Sequence, residues 1–225
     1  MTYFDRIVQE YSRKLEDKVQ EEIQDANTQD SSPISSMIRS ALKSGHKVYL
    51  CTDWHLWRYD KKKKTIYERS DFQSIINAYN NKVTDDDVVI YLGDLIDGEC
   101  EPKKKELAAV LDSLKGKRVM IRGNNDLFPD EFYLQHGFKY ITPKFVYNDI
   151  LFTHMPEEHK HRMNIHGHIH GYKTYWLPYH DMIDVAFLNG RKEPVEMNAV
   201  IDALPKYRKV AKEVPEKFEQ EFAFM

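Results

Sequence analysis

The sequence predicts an α/β protein in which mixed sheets carry their helices on the outside, and three observations predict it. Short β-rich runs alternate with helical patterns between residues 47 and 122, strand-type segments follow one another after residue 139, and polar or glycine-containing clusters stand directly behind the strands. The first 45 residues precede this body and have a helical texture. Phe4, Ile7, Val8, Tyr11, Leu15, Val19 and Ile23 recur at three- and four-residue steps, the stripe of an amphipathic helix, with Thr2 and Asp5 at capping-box spacing. After the polar break NTQDSS, Ser32 as N-cap and Pro33 as first helical residue open a second helix. Its stripe is Ile34, Met37, Ile38, Ala41 and Leu42, and Gly45 stops it. Such a pair packs either on the core or on a second copy of the chain, which makes a homodimer through the N-terminal helices an expectation.

The body then reads as strand, helix, strand, helix, strand. Lys47–Thr52 (KVYLCT), Asp87–Leu92 (DVVIYL) and Arg118–Arg122 (RVMIR) are the strands; Phe72–Tyr79 and Pro102–Leu114 are the helical patterns between them. That order is the signature of parallel crossovers. Lys144–Tyr147 and Ile150–Phe152 flank Asn148-Asp149, which suits a two-residue hairpin turn. Arg162–His166 and Met182–Phe187 complete the set, so a sandwich of mixed sheets is expected. The division expected is an N-terminal helical extension over residues 1–45, the main domain over 46–200, and a charged helical tail over 201–225, broken at Pro205 and Pro215.

Composition removes several classes of function. With 33 basic and 36 acidic residues the net charge is −3, so there is no basic excess for non-specific nucleic-acid binding, and nucleic acid enters only as a substrate. Hydrophobic residues at 41% and aromatics at 12% exclude an intrinsically disordered chain. No apolar run approaches the roughly 18 residues of a membrane span. The opening MTYFDRIVQE lacks the apolar stretch of a secretory leader, and Cys51 and Cys100 are too few for a disulfide scaffold, so a cytoplasmic protein is expected.

One count stands apart from this ordinary background: of ten histidines, seven lie between residues 154 and 180. The groups behind the strands show why. Asp53-Trp54-His55 follows the first strand, Gly93-Asp94 the second and Gly123-Asn124-Asn125-Asp126 the third. His154 follows the 150–152 run, and Gly167-His168-Ile169-His170 follows the 162–166 run. Strand carboxyl ends form the ligand-binding edge of α/β sheets, so five ends would deliver these groups to one place. Carboxylates and imidazoles without cysteine suit Mn²⁺, Fe²⁺ or Zn²⁺, and seven donors suit two ions sharing a carboxylate better than one.

The ordered blocks DxH, GD, GNxD, H and GHxH over residues 47–190 resemble the calcineurin-like metallophosphoesterases, in their bacterial phosphodiesterase-like branch. The resemblance implies a four-layer α/β/β/α sandwich and two divalent metal ions, with Mn²⁺ favoured in vitro. It implies Asp53, His55 and His170 on the first ion, Asp94 bridging, and Asn124, His154 and His168 on the second. It further implies catalytic roles for Asp94, Asn124, Asn125 and His168, and hydrolysis of a phosphate ester by attack of a metal-bridging hydroxide. The family's third block usually reads GNH, with its histidine as proton donor to the leaving group, but this chain has Asn125 there. A carboxamide cannot deliver a proton near neutral pH, so a phosphodiester or an activated monoester is the expected substrate. Asp126 would ordinarily orient the absent histidine, and the alternative is a carboxylate that caps the turn following it.

Trp57, Arg58, Asn125 and His180 are the expected substrate contacts, the first two at the root of a hairpin whose tip is Lys61–Lys64. His166 is read as either an orienting neighbour of the ligands or a buried bystander, and His159 and His161 as loop residues. Two other functions fit the fold: a phosphatase or nucleotide pyrophosphatase, and a scaffold that binds a protein partner. The scaffold is disfavoured because none of the seven ligand positions is lost.

Overall fold

The computed structural model describes residues 32–60, 62–68, 70–98, 101–157, 163–170, 182–186 and 193–203. The helix expected between Thr2 and Ile23, together with Cys100, His159, His161, His180 and the chain beyond residue 203, lies outside them.

The first described helix, α1 (Pro33–Lys43), begins where the sequence places it, with Ser35 N–H donating to Ser32 Oγ at 3.0 Å. Its buried face, Ile34, Ile38 and Ala41, belongs to this chain's own core. The alternating region gives β1 (Val48–Cys51), a hairpin of β2 (Trp57–Asp60) and β3 (Thr65–Glu68), α2 (Phe72–Lys82), β4 (Val88–Tyr91), α3 (Lys104–Ser113) and β5 (Lys117–Ile121). Next come α4 (Asp130–Gln135) and the strands β6 (Phe138–Thr142), β7 (Lys144–Tyr147), β8 (Ile150–Thr153), β9 (Met163–His166), β10 (Met182–Asp184) and β11 (Val195–Glu196). Residues 197–203 are helical. Helix α4 and strands β6 and β11 are additions to the sequence reading. The last predicted strand stops at Asp184 rather than Phe187, because residues 185–186 turn into helix and Ala186 N–H donates to Asp184 Oδ1 at 2.9 Å.

The elements form two packed sheets. One has the order β11-β1-β4-β5-β6, parallel except for antiparallel β11; the other has the order β10-β9-β8-β7, with only the β7–β8 pair antiparallel. Period-two alternation sorts their side chains. Val48, Leu50, Val88, Ile90, Val119 and Ile121 face the second sheet, where they meet Phe145, Phe152, Ile165 and Ile183. Tyr49, Cys51, Val89, Tyr91 and Met120 face the other way, onto Ile75 and Tyr79 of α2, Leu107 and Leu111 of α3, and Phe132 and Tyr133 of α4. Both faces of β1 and β4 are therefore buried, as strands at the centre of an α/β sandwich require. Asn148 and Asp149 both take positive φ, at 48° and 59°, so the expected two-residue turn closes the β7–β8 hairpin. Among the described residues, no helix is long and apolar enough to cross a membrane.

At the edge where these strands begin, Asp87 holds the sheet. Its Oδ1 accepts from Lys47 N–H at 2.7 Å, and its Oδ2 accepts from Thr84 N–H and Thr84 Oγ1–H, both at 2.8 Å. Burial opposes ionisation there, but these three donors outweigh it and hold the carboxyl below its ordinary value of 3.8. Asp87→Ala should cost about 2–3 kcal/mol, read as a lower urea midpoint at unchanged slope. The difference from wild type should be complete at neutral pH. It should narrow as pH falls below 3.8 through the depressed folded value, because the ionised carboxylate is what the folded state favours.

Candidate metal centre

All five residue blocks arrive at strand carboxyl ends: Asp53 behind β1, Asp94 behind β4, Asn124 behind β5, His154 behind β8 and His168 behind β9. Backbone hydrogen bonds stitch the turns together. Asp53 N–H donates to Gly93 O at 3.0 Å, His55 N–H to Asp94 O at 3.1 Å, and Gly167 N–H to His154 O at 3.0 Å. The two sheets join where His168 N–H donates to Asp53 Oδ2 at 2.9 Å. Turns this tight demand special backbone. Gly93 has φ 90°, and a Cβ on it would stand 2.6 Å from Gly123 Cα and from His154 Nδ1. A Cβ on Gly123 would fall inside the van der Waals surface of Asp94 Oδ1 and Asp94 N.

Two groups of ligating atoms result. Asp53, His55 and His170 form one, and Asp94, His154 and His168 the other, each with its donor atoms within 4.8 Å of one another. In the first, His170 Nε2 lies 3.0 Å from Asp53 Oδ1 and 3.2 Å from His55 Nε2. Asp53 Oδ2 is already occupied by Thr52 Oγ1–H at 2.6 Å and His168 N–H, so Oδ1 is the oxygen that faces the imidazoles. In the second, His154 Nδ1 lies 2.7 Å from Leu92 O, which fixes that nitrogen as the donor. His154 Nε2 therefore faces Asn124 Oδ1 at 2.9 Å and His168 Nδ1 at 3.1 Å. Asp94 Oδ2 stands between the groups, 3.6 Å from His55 Nε2 and 3.5 Å from His154 Nε2. The structure thus brings together all seven residues predicted as ligands.

This donor set fits divalent cations. Carboxylate oxygens, an amide oxygen and imidazole nitrogens converge on a common volume, and these are donor types that such cations share. Both candidate carboxylates are held ionised, as metal ligands must be. Burial opposes ionisation of Asp53, but hydrogen bonds from His170, His55, Thr52 and His168 N–H hold its carboxyl far below the ordinary range. Asp94 is lowered likewise, against burial, by His154 and by Asn125. Burial lowers His154, yet the Asp94 carboxylate beside it raises its pKa overall, whereas burial and the neighbouring His154 lower His168.

Arg122 and the anchoring role of Trp54 have no signal in the sequence, while Asp126, Asn125 and His166 take places that the sequence leaves open. Asp126 reaches back to earlier backbone rather than forward to cap the turn that follows it. Its buried carboxylate accepts from Asp94 N–H at 2.8 Å, Gly123 N–H at 2.9 Å and Leu95 N–H at 3.1 Å, clasping the β4 and β5 turns together. Arg122 holds the same turn from outside: its guanidinium donates to Asp126 O, Phe128 O and Asp130 Oδ1 and covers the Tyr133 ring. Trp54, the middle residue of DxH, is buried edge-on against Tyr79 and Tyr91, at centroid distances of 5.6 and 5.0 Å. Asn125 is already engaged, its N–H donating to Asp94 Oδ1 at 2.9 Å and its Nδ2–H to Asp94 Oδ2 at 2.8 Å. His166 is buried, with Nδ1 2.8 Å from Gly167 O, and burial lowers its pKa to about 4.

The expected contacts on the hairpin need one correction. Trp57 is only 2% exposed and packs on Phe72 within the helix-side core, so it is not a surface for substrate; alternation along β2 turns it inward and Arg58 outward. His180 lies outside the described residues.

Similarities to this chain occur among known families, proteins and solved structures. Residues 46–220 match the family described as calcineurin-like phosphoesterase. The chain is 27% identical over 170 residues to an uncharacterized protein of Methanocaldococcus jannaschii, over 70% of this chain and 84% of that one. Among solved structures, it is similar to a protein of unknown function from Aquifex aeolicus, at 16% identity and a TM-score of 0.49, covering 70% of this chain and 98% of the other. It is also similar to nuclease MPE of Pseudomonas putida, at 20% identity and a TM-score of 0.43, covering 56% and 62%.

The glycine contact gives a direct test of the site. Gly123→Ala would drive its methyl group against Asp94 N, Asp94 Oδ1 and Asp126 Oδ2 and so should displace Asp94, with circular dichroism checking that the variant still folds. Mn²⁺ at about 100 times the wild-type Kd should stabilise the wild type by about 2.7 kcal/mol and the variant by little, read as the rise in melting temperature on adding the ion.

Proposed function

The chain belongs to the calcineurin-like phosphoesterases, and within that family we propose that it is a dinuclear, metal-dependent phosphodiesterase. The observation that carries this reading is the place of Asp94 Oδ2, which faces His55 of one ligand group and His154 of the other. A single carboxylate oxygen set between two groups of lone-pair donors is what two ions sharing a bridge need. Asp53, His55 and His170 would hold one ion, Asn124, His154 and His168 the other, and Asp94 both. Mn²⁺, Fe²⁺ or Zn²⁺ suits these donors. Ions bound there would supply Lewis acidity toward the phosphate and hydroxide at neutral pH.

The protein's own groups set the limits of the reaction. Thr52 and His168 N–H hold Asp53 so that only Oδ1 faces the imidazoles, and Leu92 O fixes His154 with Nε2 inward. Asn125, at the place of the family's proton donor, orients Asp94 and has hydrogen-bonding capacity but no proton to release near pH 7. The leaving group therefore departs without help from that position. Esters with acidic leaving groups, such as aryl phosphodiesters, tolerate this best, because general acid catalysis is worth roughly 10²–10⁴-fold to the others.

Purified protein should hold divalent metal by mass spectrometry and hydrolyse an aryl phosphodiester in a Mn²⁺-dependent manner. Asp94→Asn should keep the fold by circular dichroism and lose about 100-fold or more in kcat, of the order seen when one electrostatic partner of a transition state is removed. A wild type with neither metal nor activity would leave the fold as a scaffold.

The role of Asn125 is tested by substrate ranking. Aryl diesters should outrun alkyl monoesters by about 10²-fold or more, and Asn125→His should narrow that ratio by at least about tenfold. Equal rates on both esters in the wild type would show that another group supplies the proton.

A further inference from the structure

The β2–β3 hairpin grows out of the metal edge and has two unlike faces. It begins two residues after His55, and its foot is tied to the stretch behind Asp94 by Leu56 N–H to Leu95 O and Asp97 N–H to Trp57 O, each at 3.1 Å. Trp57, Tyr59 and Ile66 turn inward onto the core. Arg58 and Tyr67 stand opposite each other in the register and so share the outward face, where Arg58 is exposed and Tyr67 is 40% exposed. Between Trp57 and Glu68 the sequence carries five cations against two carboxylates, within a chain whose net charge is −3. Among the described residues, no carboxylate pairs with Arg58, Lys62, Lys63 or Lys64. Asp60 is used internally: it accepts from Lys62 N–H, Lys63 N–H and the Tyr67 hydroxyl, at 2.8, 3.0 and 3.3 Å. That set shapes the tip and pins the ring, over which Lys63 Nζ sits at 5.7 Å from the centroid.

We propose that this outward face is a docking surface for single-stranded nucleic acid, which it leads to the metal centre; the proposal rests on the phosphodiesterase reading and names its substrate class. A single strand offers alternating bases and phosphates, and the face offers a fixed ring beside unpaired cations. Stacking on an aromatic ring needs no particular base, and lysines follow the backbone as point charges. The exposed Lys63–Tyr67 contact is weak, about 0.5–1 kcal/mol, so a base displaces it readily. A duplex stacks its bases internally and has none to give to Tyr67.

The test is fluorescence anisotropy with a labelled twelve-residue oligothymidylate in chelator at low salt, where hydrolysis is absent. Wild type should bind, with affinity falling steeply as salt rises. Tyr67→Ala should weaken binding about tenfold, the scale of one stacked base, while Tyr67→Phe keeps it within about twofold. Replacing Lys62, Lys63 and Lys64 together by Gln should reduce the salt slope by about two. The same change at Lys115 and Lys117, near the opposite edge of the sheet, should leave it alone. No binding by wild type, binding by Tyr67→Ala as tight as wild type, or a duplex bound as tightly as the single strand would each overturn the proposal. Absence of Mn²⁺-dependent hydrolysis would instead sink the phosphodiesterase reading and leave this binding measurement unaffected.

Discussion

The carboxylate of Asp126 never meets solvent, and the site is built around it. Burying an ionised carboxylate costs several kcal/mol unless donors surround it. Burial and the nearby charge of Asp94 push its pKa up, while N–H groups of Gly123, Asp94 and Leu95 draw it back. Those donors come from two different turns, so satisfying one carboxylate fixes the turn behind β4 against the turn behind β5. Asp94 and Asn124 inherit their separation from that clasp. Arg122 keeps the clasp in place by binding the Asp126 carbonyl and the Asp130 carboxylate, so a chain of side chains runs from the surface to the ligands.

The arrangement is strained, and the strain is localised. Among the described residues, eight other than glycine have positive φ, and five of them are candidate ligands: Asp53, His55, Asp94, His168 and His170. Each such conformation costs of order 1–3 kcal/mol and persists only where its surroundings over-determine it. The surroundings of Asp53, His55 and Asp94 are buried core. Strands β1 and β4 are buried on both faces, and Trp54 anchors the first ligand turn in an aromatic cluster with Tyr79 and Tyr91. A tryptophan of that kind typically contributes 3–5 kcal/mol when measured against alanine, enough to offset the strain of the residues on either side of it. The x of the DxH block is thus a structural anchor: its side chain goes into the core while its neighbours Asp53 and His55 join the candidate ligand group.

Residues whose meaning is local were legible in the sequence; those whose meaning comes from distant partners were not. Ligand residues stand directly behind strands, and the strands that precede them are short, apolar and β-branched, so both could be read together. The Asn148-Asp149 turn and the Ser32 cap are equally local. Helix α4 escaped because six residues are too few to show a helical period. Strand β6 escaped because it is an edge strand with mostly half-buried positions, and its pattern FKYIT carries a lysine. Asp126 and Asp94 are 32 positions apart, and nothing local announces their contact. On the hairpin, composition marked an aromatic and basic segment, but only the register separates Trp57, which faces the core, from Tyr67, which faces solvent.

Asn125 shows what the chain gains where the family's histidine is missing. Backbone and side chain of this one residue grip both oxygens of Asp94, the only carboxylate that faces both ligand groups among the described residues. The two oxygens of Asp94 carry about four lone-pair sites between them, so the two-bond grip of Asn125 fixes the direction of the carboxylate and leaves about two sites open. Like the hold of Thr52 on Asp53, it immobilises a donor atom before any ion arrives, which lowers the ordering cost of binding one. The exchange gives up proton delivery for positioning. On the proposed reading, a site organised in this way would stabilise charge on the phosphate and do little for the departing oxygen, and its chemistry would be governed by how stable that oxygen is as an anion.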